Sequence, residues 1–126
     1  MKFPKKLNNL KLAFITGATK GIGRSTAITF ANAGWDLILL ARNMESMDKL
    51  KSELLITKSK ISLVKCDLSN PLEIENCVKD AIEKYGCPSV LINNAGCAFN
   101  GPLVEMDFGQ WEQTIQINLT SIFQIC

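Results

Sequence analysis

The run Thr16-Gly17-Ala18-Thr19-Lys20-Gly21-Ile22-Gly23 carries the densest chemical signal in this chain. It follows a short apolar stretch, Leu12-Ala13-Phe14-Ile15, and opens a segment of helical period. A diphosphate needs backbone N–H groups at a helix N-terminus with no side chains in the way. Glycine supplies both the turn and the close approach. Gly17, Thr19, Lys20, Gly21, Ile22 and Gly23 are therefore candidate dinucleotide contacts. The spacing is Gly-x-x-x-Gly-x-Gly, and a tight strand-to-helix turn filled with small residues is the alternative. The position after the first strand favours the dinucleotide.

A site for NAD usually places an acid about 20 residues past such glycines, to bind the ribose 2′-hydroxyl. Here the second apolar run ends in Ala41-Arg42-Asn43. Asp36 lies at the other end of that run, and Glu45 is already beyond it. An acid would repel a 2′-phosphate, whereas Arg42 can hold one with a bidentate, charge-assisted contact. Lys20 adds a second positive charge. These two cations predict NADP in preference to NAD. Their alternative is a pair of solvated loop cations.

What is absent narrows the chemistry further. There is no histidine, which excludes Ser-His-Asp and Cys-His catalysis. The five cysteines, Cys66, Cys77, Cys87, Cys97 and Cys126, include no Cys-x-x-Cys pair, so no metal site is expected. Thiols serving as small apolar residues suit a reducing compartment, and a cytoplasmic location is the expectation. Fourteen Lys+Arg against twelve Asp+Glu give a net charge of +2, too small to imply nucleic acid. The basic residues over 1–10 read as a solvated tail. They lack the apolar stretch of a signal peptide, and no run is long enough to span a membrane.

Apolar runs alternate with helix-period segments and supply the elements that must position these groups. Leu12–Ile15, Asp36–Ala41, Ile61–Cys66 and Val90–Ile92 read as strands. Gly21–Ala33, closed by Gly34, reads as a helix. Met47, Leu50 and Leu54 share a second helical face. Pro71 suits the first turn of a third helix, closed by Gly86, and its apolar face carries Ile74, Val78, Ala81, Ile82 and Tyr85. A loop over 95–107 leads to a last helix with Trp111, Ile115, Leu119, Ile122 and Cys126 predicted along one stripe. This β-α-β-α-β-α-β-loop-α order predicts an α/β fold, a Rossmann-type doubly wound parallel sheet covered on both faces. A length of 126 residues allows one domain.

Asn93-Asn94-Ala95-Gly96 follows the fourth strand, Asn118 sits within Ile117-Asn118-Leu119, and Cys66-Asp67-Leu68 ends the third strand. With the glycine loop, these motifs resemble the short-chain dehydrogenase/reductase family, in the family's order, from about residue 10 to Cys126. The run Asn118-Leu119-Thr120-Ser121-Ile122-Phe123 is similar to carbonyl reductases of the β-ketoacyl carrier-protein reductase kind. The resemblance implies that Gly17, Gly21 and Gly23 line the diphosphate and that Asp67 accepts from the adenine amino group beside the Leu68 backbone. It further implies that Asn93 and Asn94 brace the fourth strand and that Ala95 and Gly96 border the cofactor ribose. Asn118 would be the asparagine of the catalytic tetrad, holding a water for proton relay. Simpler roles stand beside these. Asp67 can cap the next helix, the Asn pair can be turn chemistry, and Asn118 can be a buried amide that must find backbone partners.

The family's chemistry also needs a Tyr-x-x-x-Lys pair and a serine. The only tyrosine is Tyr85, followed four residues on by Ser89, and its place on an apolar stripe points to packing. The resemblance puts the missing groups beyond Cys126. The chain therefore reads as the N-terminal part of one NAD(P)-binding domain, truncated after the fourth strand and the following helix, and inactive alone. The expected function is NADP-dependent hydride transfer between nicotinamide and a carbonyl or alcohol substrate. The alternative is a non-catalytic dinucleotide-binding module. A small-molecule substrate, no membrane partner and a homo-oligomer are expected for a full-length form. An unpaired fourth strand predicts marginal stability or a partner.

Overall fold

The computed structural model describes residues 11–126; the basic tail expected over 1–10 lies outside the described residues. Four parallel strands, β1 (Leu12–Thr16), β2 (Asp36–Ala41), β3 (Ile61–Lys65) and β4 (Val90–Ile92), form one sheet in the order β3-β2-β1-β4. The connecting helices are α1 (Gly21–Asn32), α2 (Met44–Glu53) and α3 (Pro71–Tyr85). A last helical segment comprises α4 (Phe108–Ile115), a π-helical turn (Gln116–Thr120) and α5 (Ser121–Ile125). The doubly wound parallel arrangement expected from the order of apolar runs is present.

Burial explains why the strands read as continuous apolar runs. Every residue of β1 is buried, and so is every residue of β2 after Asp36. Side chains alternate between two cores. Leu12, Phe14, Ile38 and Leu40 face a cluster completed by Ile74, Val78 and Ala81 of α3, with Ile117 and Ile125. Ala13, Ile15, Leu37 and Leu39 face the opposite cluster, with Ala27 and Ala31 of α1 and Leu50 of α2. Each large side chain so buried contributes about 1.5–3 kcal/mol of hydrophobic stabilisation.

The strand order creates a crevice. The chain builds β1, β2 and β3 in one direction, then returns to the other side of β1 for β4. Ligands of open α/β sheets bind where the order reverses, outside the carboxyl ends of the strands. Register aligns those ends: Thr16 pairs with Leu40, Ala41 with Lys65, and Ile15 with Ile92. The glycine loop and the Asn93–Gly96 run leave adjacent strands at this reversal.

The last helical segment departs from the predicted stripe. Ile117, Ser121 and Ile125 are buried, whereas Trp111 and Leu119 are 49% and 64% exposed, and Cys126 is exposed. Ile115 and Ile122 are half-buried. The π-helical turn inserts an extra residue per turn and rotates the residues C-terminal to it, which a uniform helical period misses. Polar bonds fix this docking: the Gln116 amide donates to the Leu68 carbonyl at 3.3 Å, and the Gln124 amide to the Pro71 carbonyl at 3.2 Å. The predicted 95–107 loop contains one 3-10 turn, Leu103–Glu105.

Candidate dinucleotide-binding site

The site is assembled from the last residue of β1 outward. Gly17 and Gly21 adopt φ of +64° and +55°, the left-handed region that favours glycine. They turn the chain from β1 into α1. A Cβ on Gly17 would lie 2.8 Å from the Ala95 Cα, and one on Gly23 would lie 2.4 Å from the Gly17 carbonyl oxygen and 2.3 Å from the Asn94 amide nitrogen. A Cβ on Gly21 would meet nothing within 4 Å. The glycines thus divide their roles. Gly23 serves close packing, Gly17 serves both the turn and packing, and Gly21 keeps open the space before the helix. Thr19 is half-buried in the same loop, while Lys20 and Ile22 are exposed beside that space.

The start of α1 is electrostatically unbalanced. No side chain caps it, and its first turn holds no acid. The helices after β2 and β3 are both capped. The Asn43 side chain accepts from the Ser46 N–H, and the Asn70 side chain from those of Leu72 and Glu73. The partial positive charge at the start of α1 is therefore free to meet an anion.

Asn94 locks the two loops together. Its amide donates to the carbonyls of Thr16 and Gly17, each at 3.0 Å. Thr16 returns the contact, its buried hydroxyl accepting from the N–H groups of Asn94 and Ala95 at 3.0 Å each. Sequence reasoning missed Thr16. The available signal was a hydroxyl on the last residue of an apolar strand, which must find partners when buried. Asn93 makes no such brace: its amide reaches only the Cys126 sulfur at 3.6 Å, and its buried Oδ1 has no partner among the described residues.

Asn118 stands across from Gly96. Its Oδ1 accepts from the Cys97 N–H at 2.8 Å, and its Nδ2 donates to the Cys97 carbonyl at 2.7 Å. A Cβ on Gly96 would come within 3.2 Å of that Oδ1. Asn118 is exposed, not buried as its apolar neighbours suggested, because the π-helical turn presents it at the crevice. Both polar ends of its side chain are already engaged by backbone.

Arg42 and Asp67 lie at the carboxyl ends of β2 and β3. Asp67 does not cap α3; that is done by Asn70. Its carboxylate accepts from the Ser69 N–H at 3.0 Å and the Ser69 hydroxyl at 2.8 Å. The Ser69 backbone bond is the main cause that holds its pKa below the usual carboxylate value; partial burial opposes the shift, and the Arg42 charge adds to it. Arg42 is exposed. Leu68 is buried, and its carbonyl is engaged by Gln116.

Tyr85 lies at the other end of the sheet. With Leu12, Asp36, Lys60 and Ser62 it lines a cleft of about 100 Å³ near the amino ends of the strands. The chain's single tyrosine therefore stands away from the groups at the carboxyl ends of the strands.

Known proteins resemble this chain in sequence and fold. One relative is a 3beta-hydroxysteroid dehydrogenase 2 from Eggerthella lenta, 37% identical over 111 residues that cover 87% of this chain and 43% of that protein. Another is a 3-oxoacyl acyl-carrier-protein reductase from Thermotoga maritima, 32% identical over 115 residues, covering 91% and 47%. A crystal structure of a metagenomic short-chain oxidoreductase in complex with NADP superposes with a TM-score of 0.86 at 30% identity, over 93% of this chain and 53% of that one. The chain thus spans about half the length of the curated relatives it matches. The sequence profile of the short chain dehydrogenase family matches residues 11–126, from the residue before β1 to the residue after α5, and on that match this chain belongs to the family.

Proposed function

We propose that this chain forms the N-terminal, NADP-binding part of a single oxidoreductase domain that transfers hydride between nicotinamide and a carbonyl or alcohol carbon. The uncapped start of α1 behind Gly17 and Gly21 carries the reading. It offers N–H donors and a positive dipole end, with open space at Gly21 where a diphosphate fits. Arg42 and Lys20 supply charge for a 2′-phosphate. Asp67, held ionised, suits acceptance from an adenine amino group. The NADP complex of a structural relative supports the same cofactor.

NADPH, when bound, supplies the hydride. The chain's own residues bind and orient. Asn94 and Thr16 hold the glycine loop against β4, and Ala95 and Gly96 form the wall toward the ribose. Asn118 acts as a positioning residue: its side chain fixes the Cys97 backbone, and one donor and one lone pair of its amide remain for a water of a proton relay. A tyrosine, lysine and serine for proton transfer would come from outside these 126 residues.

A second reading is a dinucleotide-binding module without turnover, favoured by the position of Tyr85 away from the crevice. Titration of the purified chain with NADPH and NADH tests the first reading. Tighter binding of NADPH is expected, with Arg42→Ala weakening NADPH by about tenfold or more and leaving NADH nearly unchanged, as for loss of one charge-assisted contact. Equal affinities in the unmodified chain would refute the NADP assignment. Carbonyl-dependent NADPH oxidation by this chain alone would refute the need for outside residues.

A further inference from the structure

The described residues bring together a second set of donors, between the end of β3 and α3. Cys66 lies just after β3, while Glu73 and Cys77 lie four residues apart on α3, hence on one helix face. The two sulfur atoms and a Glu73 carboxylate oxygen all lie within 4.8 Å of one another. Sequence spacing gave no hint of this, because the donors come from two elements and form no Cys-x-x-Cys pair.

We propose that Cys66, Glu73 and Cys77 form a binding site for a thiophilic divalent cation, Zn²⁺ by donor chemistry. Two thiolates and a carboxylate are the donors this ion takes, and three protein ligands leave a fourth position for water. Zn–S and Zn–O bonds of about 2.0–2.3 Å place tetrahedral ligands on the order of 3.5 to 4 Å apart, which the cluster reaches with small side-chain movements. The surroundings prepare it. Cys66 is fully buried, while Glu73 and Cys77 are half-buried and leave an entry from the helix side. The Asp67 N–H donates to Glu73 Oε1 at 3.0 Å, which orients that carboxylate as an outer partner would in a metal site. Cys77 Sγ lies 3.3 Å from the Lys65 carbonyl, a weak bond that metal binding would exchange for a stronger one. Binding expels both thiol protons to solvent, so affinity rises with pH. The site clamps α3 to the end of β3 and requires no dinucleotide.

The test uses the purified, reduced chain and Cd²⁺, whose thiolate charge-transfer absorption reports sulfur ligation directly. Equilibrium dialysis with Zn²⁺ gives the stoichiometry. One ion per chain is expected, with a Cd²⁺–thiolate band and a Tm that rises with Zn²⁺. Cys77→Ser should abolish the band, and Glu73→Gln should weaken binding by about tenfold. Circular dichroism checks that both variants remain folded. Cys97→Ser/Cys126→Ser, which removes two exposed thiols, should bind as the unmodified chain does. The proposal is overturned if the reduced chain binds no stoichiometric ion, or if a folded Cys77→Ser variant keeps the band. It is equally overturned if Cys66 and Cys77 are found joined in a disulfide under the same reducing conditions.

Discussion

Thr16 and Gly21 sit a few residues apart and do opposite things. Thr16 ties β1 to the Asn94 turn through a buried hydroxyl, so its contribution is to stability. A Cβ on Gly21 would meet nothing within 4 Å, so this residue leaves open space at the helix start. Gly23, by contrast, has no room for a Cβ. Gly21→Ala should therefore cost about 1–2 kcal/mol, the ordinary penalty of a left-handed residue, while abolishing most dinucleotide binding. Gly23→Ala should destabilise more, because the atoms it would strike include backbone. Urea denaturation and NADPH titration of both variants separate the two effects. Asp67 makes a prediction of a different kind. Its pKa is depressed in the folded chain, chiefly by the Ser69 backbone N–H. Its stabilising contribution is then complete above the unfolded value of about 3.9 and is lost as pH falls below it. The Tm difference between the unmodified chain and Asp67→Ala should be largest near neutrality and shrink below about pH 4.

At the scale of elements, the helices differ by how they begin. Asn43 and Asn70 close the starts of α2 and α3, and Asp107 closes α4 in a capping box with Gln110. The start of α1 has no such residue: Lys20 stands where a capping side chain would, before Gly21. The strands were legible in the sequence, because burial on both faces leaves no polar interruption. The last helical segment was not. Its residues support more than one apolar stripe, and the π-helical turn decides which one faces the sheet. The chosen face holds Ile117 and Ile125 with a serine between them, and it is Gln116 and Gln124, bonded to the carbonyls of Leu68 and Pro71, that settle the docking. Such bonds depend on partners far away in the chain, so no local pattern announces them.

For the whole molecule, the order β3-β2-β1-β4 leaves β4 at an edge. Beside it, Phe14, Val78, Ile82, Pro88, Leu91 and Ile125 are among the residues lining a cleft of about 250 Å³. Phe123 is 84% exposed on the last helical segment, with Leu119 exposed nearby. An unpaired edge and exposed apolar side chains favour association. Sedimentation of the purified chain should show a mass that rises with concentration, and Phe123→Asp should reduce it; a concentration-independent monomer would contradict this. No helix among the described residues is long and apolar enough to cross a membrane. The sequence by itself determined the strands, the helix between each pair, the glycine turn, and the cation in place of an acid after β2. These are local properties, written in periodicity, in the φ that only glycine adopts readily, and in charge. Only the tertiary structure decided that Asn94 rather than Asn93 braces the loop, that Asn118 spends both ends of its amide on Cys97, and that two cysteines and a glutamate meet behind β3. Those outcomes depend on which elements come to lie side by side, and contact between distant residues is fixed by packing, not by spacing.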